Sequence, residues 1–349
     1  MLAQFLHEQL EIAFNFGVPK PQMPDSITQN LNPAFELRPY QADAFASFIH
    51  YFNNKESSMF NANPFRQPGQ WYRGNTHSHS TESDGQLSMS DRFAAYREVG
   101  YDFLVLTDHR QVNDVSAYST PDFLAISGSE VHPENPYGGA IHHFVAINIH
   151  ETINCAKMHP NAVLDEIKAQ GGEAVLCHPY WSGHTITDYL PLRGYFAIEV
   201  YNDGCMEIGK AFSEQAWDDL LDRGGPVLGI ASDDSHGTDH DCFHGWIMVK
   251  AQELTIESIM EALRTGAFYS TMGPEIVDLA LEDNEITVKC SPAQSIVFKA
   301  ECSRGRRILP SDSEHLTEAT YSVPNSAKYV RVEITDETGK KAWSNPLFF

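Results

Sequence analysis

From Trp71 onward the chain repeats one pattern: a short apolar run, a histidine or acidic residue at its end, then a helical stretch. Runs near 72–78, 102–107, 123–129, 143–149, 174–178, 196–201 and 227–232 read as strands. Helix punctuation falls between them. Ser88 with Asp91 predicts a capping box and Gly100 a stop; Pro160 suits a first helical position and Gly171 closes that helix. The apolar positions from Ala211 to Leu221 precede Gly224-Gly225, and Thr255 opens a helix that Gly266 ends. This alternation limits the chain to an α/β domain. Seven strands predict a distorted (β/α)7 TIM-like barrel, one strand short of the eight-stranded form, with its chemistry at the strands' C-terminal ends.

The residues at those ends are of one kind. They are Thr107-Asp108-His109, Gly128-Ser129-Glu130, His142-His143, Cys177-His178-Pro179 and Asp233-Asp234-Ser235-His236. The first strand ends in Asn75-Thr76-His77-Ser78-His79, followed by Asp84-Gly85. Side chains alternate along a strand, so His77 and His79 point the same way and can reach one ion. Gly85 supplies backbone freedom for a bend after Asp84. Imidazoles with carboxylates form a borderline-hard ligand set, suited to zinc, manganese or iron rather than calcium. His142 and His143 face opposite ways on an extended strand, so only one of them can enter the site.

Taken together, these segments resemble the polymerase and histidinol phosphatase (PHP) family of metal-dependent phosphoesterases, over about Trp71 to Ser270. Trp71-Tyr72-Arg73-Gly74-Asn75, Gly266-Ala267-Phe268-Tyr269-Ser270 and Ala342-Trp343-Ser344-Asn345-Pro346 resemble a branch similar to the carbaryl hydrolases, which cleave a carbamate ester. The resemblance implies two or three divalent ions. His77, His79, Glu130 and Asp234 would share one; Glu130 would bridge to a second with His178 and His143, the histidine directly before Phe144-Val145-Ala146. Asp84, His109 and His236 would form a third position. The family's Asp-x-His pattern selects Asp234 over Asp233. The implied reaction is hydrolysis of a small phosphomonoester or phosphodiester by a metal-bridging hydroxide, with His236 or Asp84 as proton donor to the leaving group. Hydrolysis of a carboxylic or carbamate ester at the same centre is the alternative, and a non-catalytic binding or scaffold protein a third reading. Asp108 could orient an imidazole or cap its strand, and Glu199 could touch substrate or a ligand histidine. His184, Tyr180 and Arg110 fall in loops over the site. His7, His50, His150, His159, His240, His244 and His315 have no partner in the pattern.

Around this core, residues 1–70 read as a helical extension and linker, 71–270 as the PHP metallohydrolase barrel, and 271–349 as a small antiparallel β-sandwich. No Gly-rich phosphate loop is present, which removes an NTPase. A net charge of −23 argues against nucleic acid as a partner, because that binding needs Lys and Arg against phosphates. A cluster of divalent ions would still admit an anionic small molecule. The six cysteines sit singly, fitting free thiols and a cytoplasmic location. No apolar run approaches the roughly 20 residues of a membrane span. The expected partner is a small-molecule ester, with a homo-oligomer open.

Overall fold

The computed structural model describes residues 63–349 apart from 137, 224 and 312–314. The helices expected before residue 53 lie outside the described residues. All seven expected strands form: β1 (Gln70–Asn75), β2 (Phe103–Leu106), β3 (Leu124–Val131), β4 (Phe144–Ile147), β5 (Glu173–Leu176), β6 (Ala197–Asn202) and β7 (Leu228–Ser232). β2 and β4 to β7 are buried along their whole length, as continuous apolar runs require. Helices α1 (Met89–Glu98), α2 (Pro160–Ala169), α3 (Pro179–Ser182), α4 (Ile186–Tyr189), α5 (Glu214–Arg223) and α6 (Ile256–Thr265) connect or cover them. The punctuation acts as the sequence predicts: Ser88 caps α1, Pro160 opens α2, Thr255 caps α6, and Gly266 ends it in the left-handed conformation. Among the described residues no helix is long and apolar enough to cross a membrane.

The sheet differs from the expected closed parallel barrel. It is an open, mixed sheet in which β1–β2–β3 and β5–β6–β7 pair in parallel, while β4 runs antiparallel to both β3 and β5. Residues 132–143 link β3 to β4, and the chain turns back beside the strand it has left. The strand β8 (Trp246–Ala251), absent from the sequence reading, takes the free edge of β1 over Gln70–Gly74. Only the extension of β1 beyond Asn75 remains to meet the end of β7, through a single bridge between Ser78 and Ser235. The strands nevertheless curl about one interior, where Phe103, Val145, Val175, Leu228 and Ile247 meet Ile259 and Leu263 of α6.

Beyond β9 (Phe268–Thr271) the chain is all strand: β10 (Ile276–Glu282), β11 (Glu285–Ala293), β12 (Ser295–Ala300), β13 (Gly305–Ile308), β14 (Leu316–Ser322), β15 (Tyr329–Thr335), β16 (Lys341–Ser344) and β17 (Leu347–Phe348). β10, β11 and β14 form one sheet, and β13-β12-β15-β16 continue the large sheet by pairing with β9. Leu279, Ile286 and Val288 meet Ile296, Phe298 and Val332 between them. The segments that resemble the carbaryl-hydrolase branch pack on one another here. Asn345 Nδ2 donates to the Gly266 and Phe268 carbonyls at 3.3 and 3.0 Å, its Oδ1 accepts from Gly229 N, and Trp343 is in register with Ser270.

Candidate metal centre

The segment past β1 is fixed on both sides by backbone bonds. Thr107 N donates to Ser78 O at 2.9 Å, His79 N to Ser235 O at 2.9 Å, and Asp234 N to His77 O at 3.0 Å. Extended backbone then sends the two buried imidazoles the same way, with ring centroids 5.1 Å apart. The fully buried Arg92 of α1 holds this segment from behind, donating to the carbonyls of His79 and Gly237. Gly85 is required by close approach: a Cβ there would lie 2.5 Å from the His79 carbonyl oxygen.

Glu130, at the end of β3, is the hub. Its two oxygens lie 2.6 Å from His143 Nδ1, 2.9 Å from His109 Nδ1, 3.3 Å from His77 Nε2 and His178 Nε2, 3.5 Å from His79 Nε2 and 3.6 Å from His132 Nε2. Asp234 Oδ1 stands 3.0 Å from His79 Nε2 and 3.1 Å from His77 Nε2. Asp84, over half exposed, lies 3.2 Å from His109 Nε2 and 3.4 Å from His236 Nε2. The nine expected ligands thus gather in three overlapping groups. β4 contributes through its reversal: His143 precedes the strand, and running antiparallel brings that end to the face where β3 and β5 finish. The backbone is left-handed at Arg110, His178 and Asp234, with φ of 59°, 25° and 55°, a cost of order 1–3 kcal/mol each for residues with side chains.

These residues fit divalent ions. A carboxylate offers about four lone-pair sites, too few to accept from six imidazoles. His77 Nε2 and His79 Nδ1 are buried without a hydrogen-bond partner. Donor atoms bound to one ion at about 2.0–2.1 Å stand roughly 3.0–3.4 Å apart, the spacing found between His77 Nε2 and its two carboxylates. Charge points the same way. Burial opposes protonation of His77, but Asp234, Glu199 and Glu130 outweigh it and hold the imidazole well above its usual value. Burial likewise opposes ionisation of Glu130, yet the surrounding histidines hold it well below the usual carboxylate range. Burial, with His77 and His236 nearby, pushes His79 down to about 4.

The remaining candidates separate cleanly. Glu199 Oε1 lies 2.7 Å from His77 Nδ1, and Glu199 also accepts from Ser232 Oγ, His178 N and Asn202 Nδ2, so it orients a histidine. Asp108 accepts from Ser80 and Ser83, holding the loop that carries Asp84. Asp233 accepts from Tyr96 Oη and from the amides of Phe243, His244 and Gly245, a structural role. His142 turns away from the centre, its Nε2 3.0 Å from the Asp188 carbonyl. His184 lies against the Ala140 carbonyl, Tyr180 is exposed, and His150 and His315 are at the surface. Two residues escaped the sequence reading. Nothing in the sequence marks Arg92, but His132 follows Glu130 by two positions, the same alternation that pairs His77 with His79.

No protein-family model matches the sequence, and no curated protein does. Among solved structures, the chain is similar to a two-domain protein from Bacteroides vulgatus containing a predicted PHP-like metal-dependent phosphoesterase. Identity is 19%, covering 79% of this chain and 95% of that one, with a TM-score of 0.47. A candidate metal-dependent phosphoesterase from Bifidobacterium adolescentis aligns at 12% identity over 47% of this chain and 87% of its own, TM-score 0.34. An amidohydrolase from Chromobacterium violaceum aligns at 16% identity over 48% and 89%, TM-score 0.38.

Proposed function

We propose that this chain is a hydrolase that uses two or three divalent ions, zinc, manganese or iron, to cleave a small phosphomonoester or phosphodiester. The observation that carries the reading is Glu130, one buried carboxylate among six imidazoles. His77, His79, Glu130 and Asp234 would hold one ion, Glu130, His143 and His178 a second, and Asp84, His109 and His236 a third. Ions bound there would acidify water and polarise the ester oxygen. The chain itself orients the ligands: Glu199 fixes His77, and Asp108 fixes the loop of Asp84. His236 and Asp84 form the most exposed edge of the cluster, which suits them to pass a proton to the departing alkoxide. A carboxylic or carbamate ester is the second reading. It is favoured by one observation: among the described residues no Lys or Arg pairs with Glu130, Asp234 or Asp84. The test is elemental analysis of the purified protein beside turnover of p-nitrophenyl phosphate, bis(p-nitrophenyl) phosphate and a naphthyl carbamate. At least two ions per chain, and phosphate-ester turnover abolished by chelation, are expected. Active protein with one ion or none would overturn the reading.

A further inference from the structure

The residue missed in the sequence occupies a position that no part of the motif pattern assigns. The His132 side chain is 6% exposed, its Nδ1 has no hydrogen-bond partner, and its ring stacks on His143 at 4.0 Å with an interplanar angle of 14°. His132 Nε2 lies 3.1 Å from His109 Nδ1, which in turn lies 2.9 Å from Glu130 Oε2.

A neutral imidazole carries one N–H and one lone pair, so the protons here can be counted. Suppose His109 Nδ1 carries the proton and gives it to Glu130. His132 Nε2 is then a buried lone pair competing for a proton already given. Suppose instead that His132 Nε2 donates to His109 Nδ1. His109 then turns a lone pair toward a carboxylate oxygen 2.9 Å away, and the two repel. Each assignment leaves a buried polar group unsatisfied, at about 1–3 kcal/mol. A cation among these three atoms uses both lone pairs and the carboxylate together, and all three lie within 4.8 Å of one another. His109 Nε2 would then carry its proton toward Asp84 Oδ2, 3.2 Å away.

We propose that His132 is an additional metal-binding residue, sharing an ion with Glu130 and with His109 through Nδ1; His109 then leaves the group of Asp84 and His236, and Asp84 orients it from behind. The proposal rests on the reading of the centre as a metal site.

The test compares the full chain with His132→Phe, which keeps the aromatic stack on His143, with His132→Gln, and with the surface control His150→Phe. Metal content after equilibration with zinc or manganese, affinity by chelator competition, and the visible spectrum of the cobalt(II) forms are measured, together with melting of the metal-free proteins. His132→Phe should lose about one ion per chain, or weaken one site at least about tenfold, with an altered cobalt band and metal-free melting like the parent's. His132→Gln gives the same comparison if the Phe variant does not fold. Wild-type stoichiometry, affinity and spectrum in a folded variant would overturn the proposal and leave the hydrolase reading standing. A parent protein that binds no metal would overturn both.

Discussion

Replacing Glu199 by Gln changes no ligand and barely changes volume, so its effect isolates the orientation of His77. The carboxylate faces donors on both oxygens: Ser232 Oγ at 2.7 Å beside His77 Nδ1 on one, His178 N at 2.9 Å and Asn202 Nδ2 at 2.8 Å on the other. When an ion displaces the proton from Nε2, this keeps the remaining His77 proton on Nδ1 and leaves Nε2 free to ligate beside Glu130 and Asp234. A Gln side chain has only one oxygen to offer. With its amide nitrogen toward His77, the imidazole moves its proton to Nε2 and cannot ligate there. With the nitrogen toward His178 N and Asn202, donors face donors. Loss of such an orienting partner costs about 10–100-fold in metal affinity, or roughly 1.4–2.7 kcal/mol. Chelator-competition titrations of the parent and Glu199→Gln, at matched pH and with metal-free melting on the same samples, read this directly. A folded variant whose affinities all stay within about twofold of the parent's would refute the tautomer argument.

The candidate ligands themselves should weigh more: His77→Ala, Glu130→Ala and Asp234→Asn are each expected to lower kcat at least about 10²-fold in steady-state assays, with little change for the surface residues His150→Ala and His315→Ala. Equal losses in both sets would mean that histidines matter here for folding alone. A chain ending after Ser270 keeps every candidate ligand but strips β9 of β16, removes Arg331 from the face of the buried Trp217, and removes Trp343 from Glu214. Exposed apolar side chains at about 1.5–3 kcal/mol each should leave it insoluble or low-melting, whereas a stable, metal-loaded, inactive fragment would point to a role in the substrate pocket. In the C-terminal sheet, burial raises the Glu333 carboxyl, but Lys299, Lys341 and Arg331 outweigh it and bring it to about 2. A carboxyl lowered on folding stabilises above its ordinary value of about 4.5, and the gain disappears as pH falls toward 2. Thermal melts should show Glu333→Gln losing at most about 3 kcal/mol at neutral pH and little at pH 2.

The strands were legible because their apolar runs are continuous, and burial on both faces demands that. Their direction was not. β4 reads as the same kind of apolar run as its neighbours, and nothing in it marks that it runs antiparallel to both β3 and β5. β8 was missed because Trp246–Ala251, which lies between β9 and β1, alternates half-buried and buried residues away from any His or acidic marker. The sandwich was visible as alternating strands, but nothing in Tyr269 or Trp343 announces that β9 and β16 would join the two halves into one sheet.

The centre was legible for a different reason: its residue types are expensive to bury and so rarely occur at the ends of apolar strands without a common purpose. What the pattern could not supply is direction in space. Asp108 and Asp233 are as buried as the candidate ligands, and only the donors around them separate loop anchor from metal-facing carboxylate. His142 and His143 are adjacent in sequence, and alternation alone left open which one enters; the contact of His143 with Glu130 places it at the centre, while His142 lies against Asp188. The same alternation, applied one position further along β3, would have found His132. Extending each strand's period two past its last apolar residue is therefore the step by which sequence reasoning could have reached the full cluster, since the residues between the paired side chains, Ser78 and Val131, still pair as strand.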